Sequence, residues 1–340
     1  MLPCPYCHAD TSRGPIFESA LLACPECLNP VFVRAAPNGV ATAPVPEYED
    51  IRLQVQRGSV MEGILRTLNK GLDRLPVLPE APRRVLAMVH DPIASTGEVA
   101  EVLNEDPVLS AKVLKLANSA MFGGFEPIRE LHVASARIGM RGLAQVVQTS
   151  AQSNLYTSKE PYFREMIHAL WRHSLATAYT AELLAATRSG VSPGEAFFAG
   201  LVHDIGKVLL LDLIAGQYTG PKGRLRESPE LLQRVLDTFH PLVGLHIMDR
   251  WNLPFQYGFT TFYSGAPERC PVDDWLTLTH IVCLASRIAE DSGYGGPPPD
   301  DGDLEAHPSA RRLTLNGETI AAISGKLPDA ADALLDAVAA

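Results

Sequence analysis

The sequence has no surplus of positive charge. Of its 340 residues, 29 are lysine or arginine and 39 are aspartate or glutamate, a formal net charge of −10. A chain this acidic does not coat nucleic acid along its length, because phosphate contacts need a basic surface. Long apolar runs are also missing, and none reaches the length of a membrane span. The first residues, MLPCPYCHAD, lack the basic and apolar regions of a signal peptide. There is no Gly-rich phosphate loop, no Gly-x-Ser-x-Gly elbow and no internal repeat. Cysteine is sparse, with six in all. These absences predict a cytoplasmic protein, in which paired cysteines are metal ligands and not disulfides.

Four of the six cysteines crowd into residues 1–34. Cys4 and Cys7 form CPYC, Cys24 and Cys27 form CPEC, and sixteen residues separate the two knuckles. Tetrahedral zinc takes four thiolates, and two Cys-x-x-Cys turns supply two each. A redox pair would need only one such motif. A segment this small cannot bury a core, so zinc should supply most of its folding energy. It resembles a zinc ribbon, with Val31–Val33 as one short strand. Residues 1–46 carry Arg13 and Arg34 against Asp10, Glu18 and Glu26. With no basic patch, a protein contact or a structural cap is favoured over nucleic acid.

Residues 35–50, AAPNGVATAPVPEYED, read as a Pro/Ala-rich linker, and residues 51–74 as an amphipathic connector helix. From residue 75 the pattern is helical. Ser95 and Glu98 form a capping-box pattern. Asp106-Pro107 is an N-cap followed by Pro at the first helical position, and that helix ends near Asn118-Ser119. Helices follow around Leu131–Ile138, Gly142–Ser153, 165–187, 229–250 and Trp275–Ala289. Beyond GYGGPPPDDGD, a loop, the tail carries helices around Gly317–Ile323 and Ala330–Val338. From Asp291 onward there are nine acidic and three basic residues, which predicts a mostly solvated tail.

One stretch stands apart. GEAFFAGLVHDIGKVLLLDL, residues 194–213, reads as a single buried helix, apolar on every face, into which His203, Asp204 and Lys207 are set. Such groups are costly in an apolar helix without partners or a metal. Gly200 and Gly206 flank the pair and allow other helices to approach. A hydrogen-bonded core histidine, with Lys207 neutralising Asp204 one turn on, explains the residues as well as a metal site does.

LPVLPEAPRRVL, DPVLSAKVLKLANSAMF and ASARIGMRGL look like the N-terminal half of an HDOD domain, the HD-related output domain of bacterial signalling proteins. WRHSLATAYTAELLA and GEAFFAGLVHDIGKVLL are similar to its second half. The resemblance covers roughly residues 75–290 and implies a two-lobed helical fold. In the HD phosphohydrolase superfamily the metal ligands are a His, an adjacent His-Asp pair and a distant Asp on a late helix. His173 in WRHSL, His203 and Asp204 match the first three. The late helix reads IVCLASRIAED, which puts Ser286 where the Asp is expected. Serine, neutral at pH 7, is a poor ligand for a divalent cation, and Asp291 lies over a turn further on.

HDIGK and HPLVG also resemble the HD-GYP phosphodiesterases, with Lys207 and His240 at matching positions. Their downstream His-His-Glu and Gly-Tyr-Pro elements are replaced by FTTFYSGAPERC. His173, His203, Asp204 and His240 could hold iron, manganese or zinc more readily than magnesium. The missing acid favours a buried His–Asp–Lys network left by the fold over a second divalent metal.

The sequence therefore predicts a mostly α protein. A Cys4 zinc ribbon with short β-strands occupies 1–34, a linker and connector helix 35–74, an HDOD N-terminal lobe 75–160, an HD-like lobe 161–292, and a loop with a helical tail 293–340. The resemblance implies a non-catalytic regulatory module in bacterial signal transduction. Its expected partner is a signalling protein, or a nucleotide or cyclic dinucleotide, with no membrane and no nucleic-acid role. The alternative is a metal-dependent phosphohydrolase or cyclic-dinucleotide phosphodiesterase, with Lys207 and His240 joining the His-Asp pair in catalysis.

Overall fold

The computed structural model describes residues 4–5, 8–9, 20–23, 30–36, 39–45, 63–64, 84–85, 88, 93–119, 122, 127–153, 155–158, 160–187, 190–215, 228–251, 253–295 and 303–338. In chain order the elements are strands β1 (Ala20–Ala23), β2 (Pro30–Ala36) and β3 (Gly39–Pro44), then helices α1 (Thr96–Asn104), α2 (Pro107–Ala117), α3 (Leu131–Ser153), α4 (Pro161–Ala186), α5 (Pro193–Val202), α6 (Ile205–Ile214), α7 (Pro229–Arg250), α8 (Phe255–Tyr263), α9 (Asp273–Asp291), α10 (Pro308–Arg312), α11 (Gly317–Ser324) and α12 (Leu327–Val338). Among the described residues no helix is long and apolar enough to cross a membrane.

Local chemistry explains where these helices start and stop. Ser95 and Glu98 close the expected capping box on α1: the Glu98 amide donates to Ser95 Oγ at 3.2 Å and the Ser95 amide to Glu98 Oε2 at 2.8 Å. Asp106 caps α2 by accepting from the amides of Val108 and Leu109 at 2.9 and 3.1 Å. At its other end Asn118 ties the helix to Ile128 through two hydrogen bonds. The two helices expected around Leu131–Ile138 and Gly142–Ser153 are both present within α3, separated at Gly139, whose φ of 68° and ψ of 178° are not helical and few other residues adopt.

The described chain forms two compact units that interleave in sequence, whereas the sequence reading laid its lobes end to end. The first unit comprises Met1–Val77, Ser158–Arg164 and Val202–Thr279. In it β1, β2 and β3 form an antiparallel sheet in that order, with Ala20 opposite Val33 and Val33 opposite Thr42. β1 packs against α7 and α8. Val45 is fully buried in a cluster with Leu242, Leu245, Phe259 and Phe262. This corrects part of the expected linker over 35–50: residues 39–44 are a strand, and Val45 is an anchor. Antiparallel pairing with β2, from Val31 opposite Pro44 to Ala36 opposite Gly39, overrides the weak apolar signal of β3. Of the connector helix expected over 51–74, Gly63 and Ile64 are described and helical, and Ile64 is buried.

The second unit comprises Leu78–Thr157, Glu165–Leu201 and His280–Ala340. α1 and α2 pack on α3, and α12 packs on α2 and α3. Leu313, Ile320, Ile323, Leu327, Ala331 and Leu334 are buried, so the tail is part of the core and not the solvated surface that its charge predicted. Charge count misled because the acidic residues of α12 share the helix with a continuous apolar stripe. The loop expected around Pro297–Asp303 lies almost wholly outside the described residues.

Candidate functional site

The stretch read as one helix over 194–213 is two. α5 ends at Val202 and α6 begins at Ile205, with His203 and Asp204 in a turn between them. Asp204 has φ −106° and ψ 8°, outside the helical well, and its side chain makes no capping bond. The apolar pattern hides such a break, because apolar residues run through both helices with little amphipathic contrast. Gly206 explains the tight packing that follows: a β-carbon there would overlap the His240 carbonyl oxygen and come 2.8 Å from the Gly244 nitrogen. In the second unit Gly200 lies similarly against the backbone of Ala178. Both glycines thus allow the close approach expected of them.

Asp204 is the charge at the centre of the first unit's cluster. Its side chain is only 5% exposed. Lys207 Nζ donates to Asp204 Oδ2 at 2.7 Å. His203 Nε2 is 3.6 Å from the same oxygen, and His240 Nε2 is 3.7 Å from Oδ1. His240 Nδ1 lies 2.8 Å from the Leu236 carbonyl oxygen, so Nδ1 carries the hydrogen and Nε2 presents a lone pair. Burial pushes the His240 pKa down to about 4, with the Lys207 charge acting the same way and Asp204 and the Leu236 carbonyl opposing. His240 is therefore neutral at pH 7. The expected neutralisation of Asp204 by Lys207 is present.

His173 and Ser286 meet in the second unit. His173, on α4, is 4% exposed. Its Nδ1 donates to the Tyr294 carbonyl oxygen at 2.8 Å, and in the neutral ring this leaves Nε2 as the acceptor. A backbone carbonyl on one ring nitrogen is the usual way to aim the other at a metal. Here Ser286 Oγ lies 3.2 Å from Nε2, and its hydroxyl donates to that lone pair. Asp291 instead pairs with Arg287 on its own helix at 3.1 Å.

Sequence reasoning missed the turn that holds His173. Gly293 and Gly295 have φ of 85° and 140°, and a β-carbon on Gly295 would come 3.1 Å from His173 Nδ1. The GYGG run carried that signal, but it read as the start of a loop. Also missed was a buried pair in the same unit. Glu182 accepts from Gln145 Nε2 at 2.7 Å and lies 3.3 Å from the Arg141 guanidinium, while burial pushes its carboxyl upward. Of the four cysteines expected to form a zinc ribbon, Cys4 is described and buried; Cys7, Cys24 and Cys27 lie outside the described residues.

Residues 75–267 match the HDOD domain family. The chain belongs to that family. An HDOD domain protein of unknown function from Geobacter sulfurreducens is 27% identical, with a TM-score of 0.68 over 81% of this chain and 97% of that one. A Shewanella amazonensis SB2B protein provisionally named a metal-dependent phosphohydrolase shares the fold, at 20% identity and a TM-score of 0.60, over 82% of this chain and 99% of that one. A Marinobacter aquaeolei VT8 protein provisionally named a signal transduction protein does so at 16% identity and a TM-score of 0.62, over 91% of this HDOD chain and 75% of that one. An uncharacterized protein of Treponema pallidum (strain Nichols) is 25% identical over 190 residues; the match spans 54% of this chain and 36% of that relative's length.

The HD superfamily implies a divalent metal; His173, His203 and Asp204 could each offer it a ligand atom, but two of these atoms are already engaged. An ion would have to displace the Ser286 hydroxyl from His173 Nε2, and one oxygen of Asp204 already carries the Lys207 ammonium. Ser286 brings no negative charge in exchange.

Proposed function

We propose that this HDOD protein is a non-catalytic regulatory module that works in the cytoplasm by binding a partner signalling protein, or a nucleotide, through a degenerate HD-like region. His173, His203, Asp204 and His240 are taken as the remnant of the metal site. The observation that carries the reading is the Ser286 hydroxyl on His173 Nε2, which turns a ligand atom into an internal hydrogen-bond acceptor. Lys207 supports it by supplying, on Asp204, the positive charge a metal would otherwise provide.

The N-terminal cysteines Cys4, Cys7, Cys24 and Cys27 are proposed to hold one structural zinc. Support comes from the described part of the first knuckle. The Cys4 amide donates to the Ala9 carbonyl at 2.8 Å and the His8 amide to the Cys4 carbonyl at 3.0 Å, with His8 at φ 64°. These bonds bring Cys4 back against Ala9, in keeping with a reversal of the chain near the first cysteine pair.

The second reading, a metal-dependent phosphohydrolase, is favoured by one observation: the His240 Nε2 lone pair faces Asp204 Oδ1. Elemental analysis of the purified protein separates the two. The regulatory reading expects one zinc per chain, and no hydrolysis of cyclic dinucleotides or nucleoside phosphates with manganese, iron or magnesium. Ser286→Asp should add metal binding to a chain that lacks it. Turnover by the wild type, lost in His203→Ala while the fold persists, would replace this reading with the enzyme.

A further inference from the structure

Tyr294 joins two parts of the second unit that the sequence keeps apart. Its carbonyl accepts from His173 Nδ1 at 2.8 Å. Its side chain is 5% exposed and sits in a cluster with Ala176, Ala289, Leu327 and Ala331. Its hydroxyl lies 3.5 Å from the Pro328 carbonyl and 3.4 Å from Asp332 Oδ1, both on α12. The Arg172 guanidinium lies 5.4 Å from the ring centroid. One residue therefore touches the neighbour of His173, His173 itself and the C-terminal helix.

Gly293 and Gly295, both at positive φ, shape the 293–295 turn, and a β-carbon on Gly295 would crowd His173 Nδ1 at 3.1 Å. The Tyr294 ring is enclosed by Ala176, Ala289, Leu327 and Ala331 while its carbonyl holds His173 Nδ1, so a displacement of α12 reaches His173 through this one residue. α12 is also packed on one face only. Leu327, Ala331 and Leu334 seat it. Its other side borders an open cleft of about 880 Å³, into which Asp329, Asp332 and Asp336 look across at Lys115 and Tyr179. A helix packed on one face and facing open space on another opens at lower cost than one packed all round.

We propose that α12 is a conformational switch on the HD-like region. Seated on Tyr294, it holds the 293–295 turn against His173 and keeps Nε2 turned to Ser286. Lifted, it releases the turn and the ring together. The proposal rests on the reading that His173 is a working part of the remnant site, and it names the regulation of that part.

The test uses the full chain labelled with ¹⁵N-histidine, with His173 assigned by His173→Gln. Imidazole nitrogen shifts report which ring nitrogen is protonated, and hydrogen exchange reports α12 and residues 292–295. The wild type should show His173 as the Nδ1–H tautomer. Ala331→Glu, placing a charge on the seated face of α12, should speed exchange in α12 and in 292–295 by about tenfold or more and collapse the single tautomer into an averaged signal. Tyr294→Phe keeps the ring and loses the hydroxyl contacts, so it stays folded if Ala331→Glu does not. It should give a smaller change in the same direction at both places. Faster exchange in α12 with an unchanged His173 signal, in either variant, overturns the proposal. So does Tyr294→Phe leaving both readouts as in the wild type. None of these readouts needs turnover or metal, so hydrolysis by the wild type would sink the regulatory reading while leaving the switch standing or falling by itself.

Discussion

Replacing Asp204 and Lys207, singly and together, tests the charge balance in the HD-like region. The two groups are 2.7 Å apart, but they are not equally buried: 5% of the aspartate side chain is exposed and 21% of the lysine. An ion pair about 4 Å apart at an effective dielectric of ~20 attracts by roughly 4 kcal/mol, against which desolvation of both groups must be set. Lys207→Met leaves a carboxylate shut in beside two histidines, of which His240 is neutral at pH 7. Its cost should be about 3–5 kcal/mol, the range for an uncompensated buried charge. Asp204→Ala leaves an ammonium on a flexible stem that can turn toward water, so its cost should be lower, about 1.5–3 kcal/mol. The double variant buries no charge and should be more stable than Lys207→Met alone. Hydrogen exchange of the α6 amides measures all three locally, without assuming that the whole chain unfolds in one step. If Lys207→Met falls within about 0.5 kcal/mol of the wild type, Asp204 is neutralised by something other than Lys207, and the ion-pair account is wrong.

Two further tests address the same packing. The folded pKa of His240, about 4, lies below the usual imidazole value of 6.5, so the folded state resists protonation. Its contribution is intact above about pH 6.5 and is lost as pH falls toward 4, by up to roughly 3 kcal/mol across that window. Urea midpoints at pH 7, 5.5 and 4.5 should show this loss, and His240→Gln should flatten it; equal slopes would refute the assignment. Gly206→Ala should cost more than about 3 kcal/mol, because its β-carbon meets backbone atoms that cannot rotate away. Gly265→Ala, at a site with nothing within 4 Å, should stay within about 0.5 kcal/mol in the same thermal-shift series, and a similar loss in both variants would contradict the close-contact argument.

What could be read from the residues alone followed the range of the interactions. The Ser95 and Asp106 caps act over two or three residues, and both were legible. The α7 boundaries, Pro229–Arg250, matched the expected 229–250 because Ser228 and Pro229 mark its start locally. Ser286 was legible as a departure from an Asp through the family resemblance, and the structure places it beside His173. The break at His203–Asp204 was not, since apolar helices with little amphipathic contrast have no clear phase to lose. β3 and the buried tail were missed for the opposite reason. Their stability comes from partners far away in sequence: α7 and α8 for the sheet and Val45, α2 and α3 for α12. Tyr294 belongs with them, because a tyrosine between glycines says nothing by itself of the histidine 121 residues earlier.

The interleaving of the two units has a consequence for how the chain is made. β1 and Val45 find their packing partners only when α7 and α8 exist, roughly 200 residues after β1 leaves the ribosome. At about 5–20 residues per second, that is a wait of roughly 10–40 s with apolar strand surface uncovered. The second unit waits for about as long, because α2 and α3 are covered by α12, which follows them by a similar length of chain. Neither unit can be cut out as one continuous piece of sequence. Folding of both units therefore waits on the later helices α7, α8 and α12, and in that interval the early surfaces are open to chaperones and to each other.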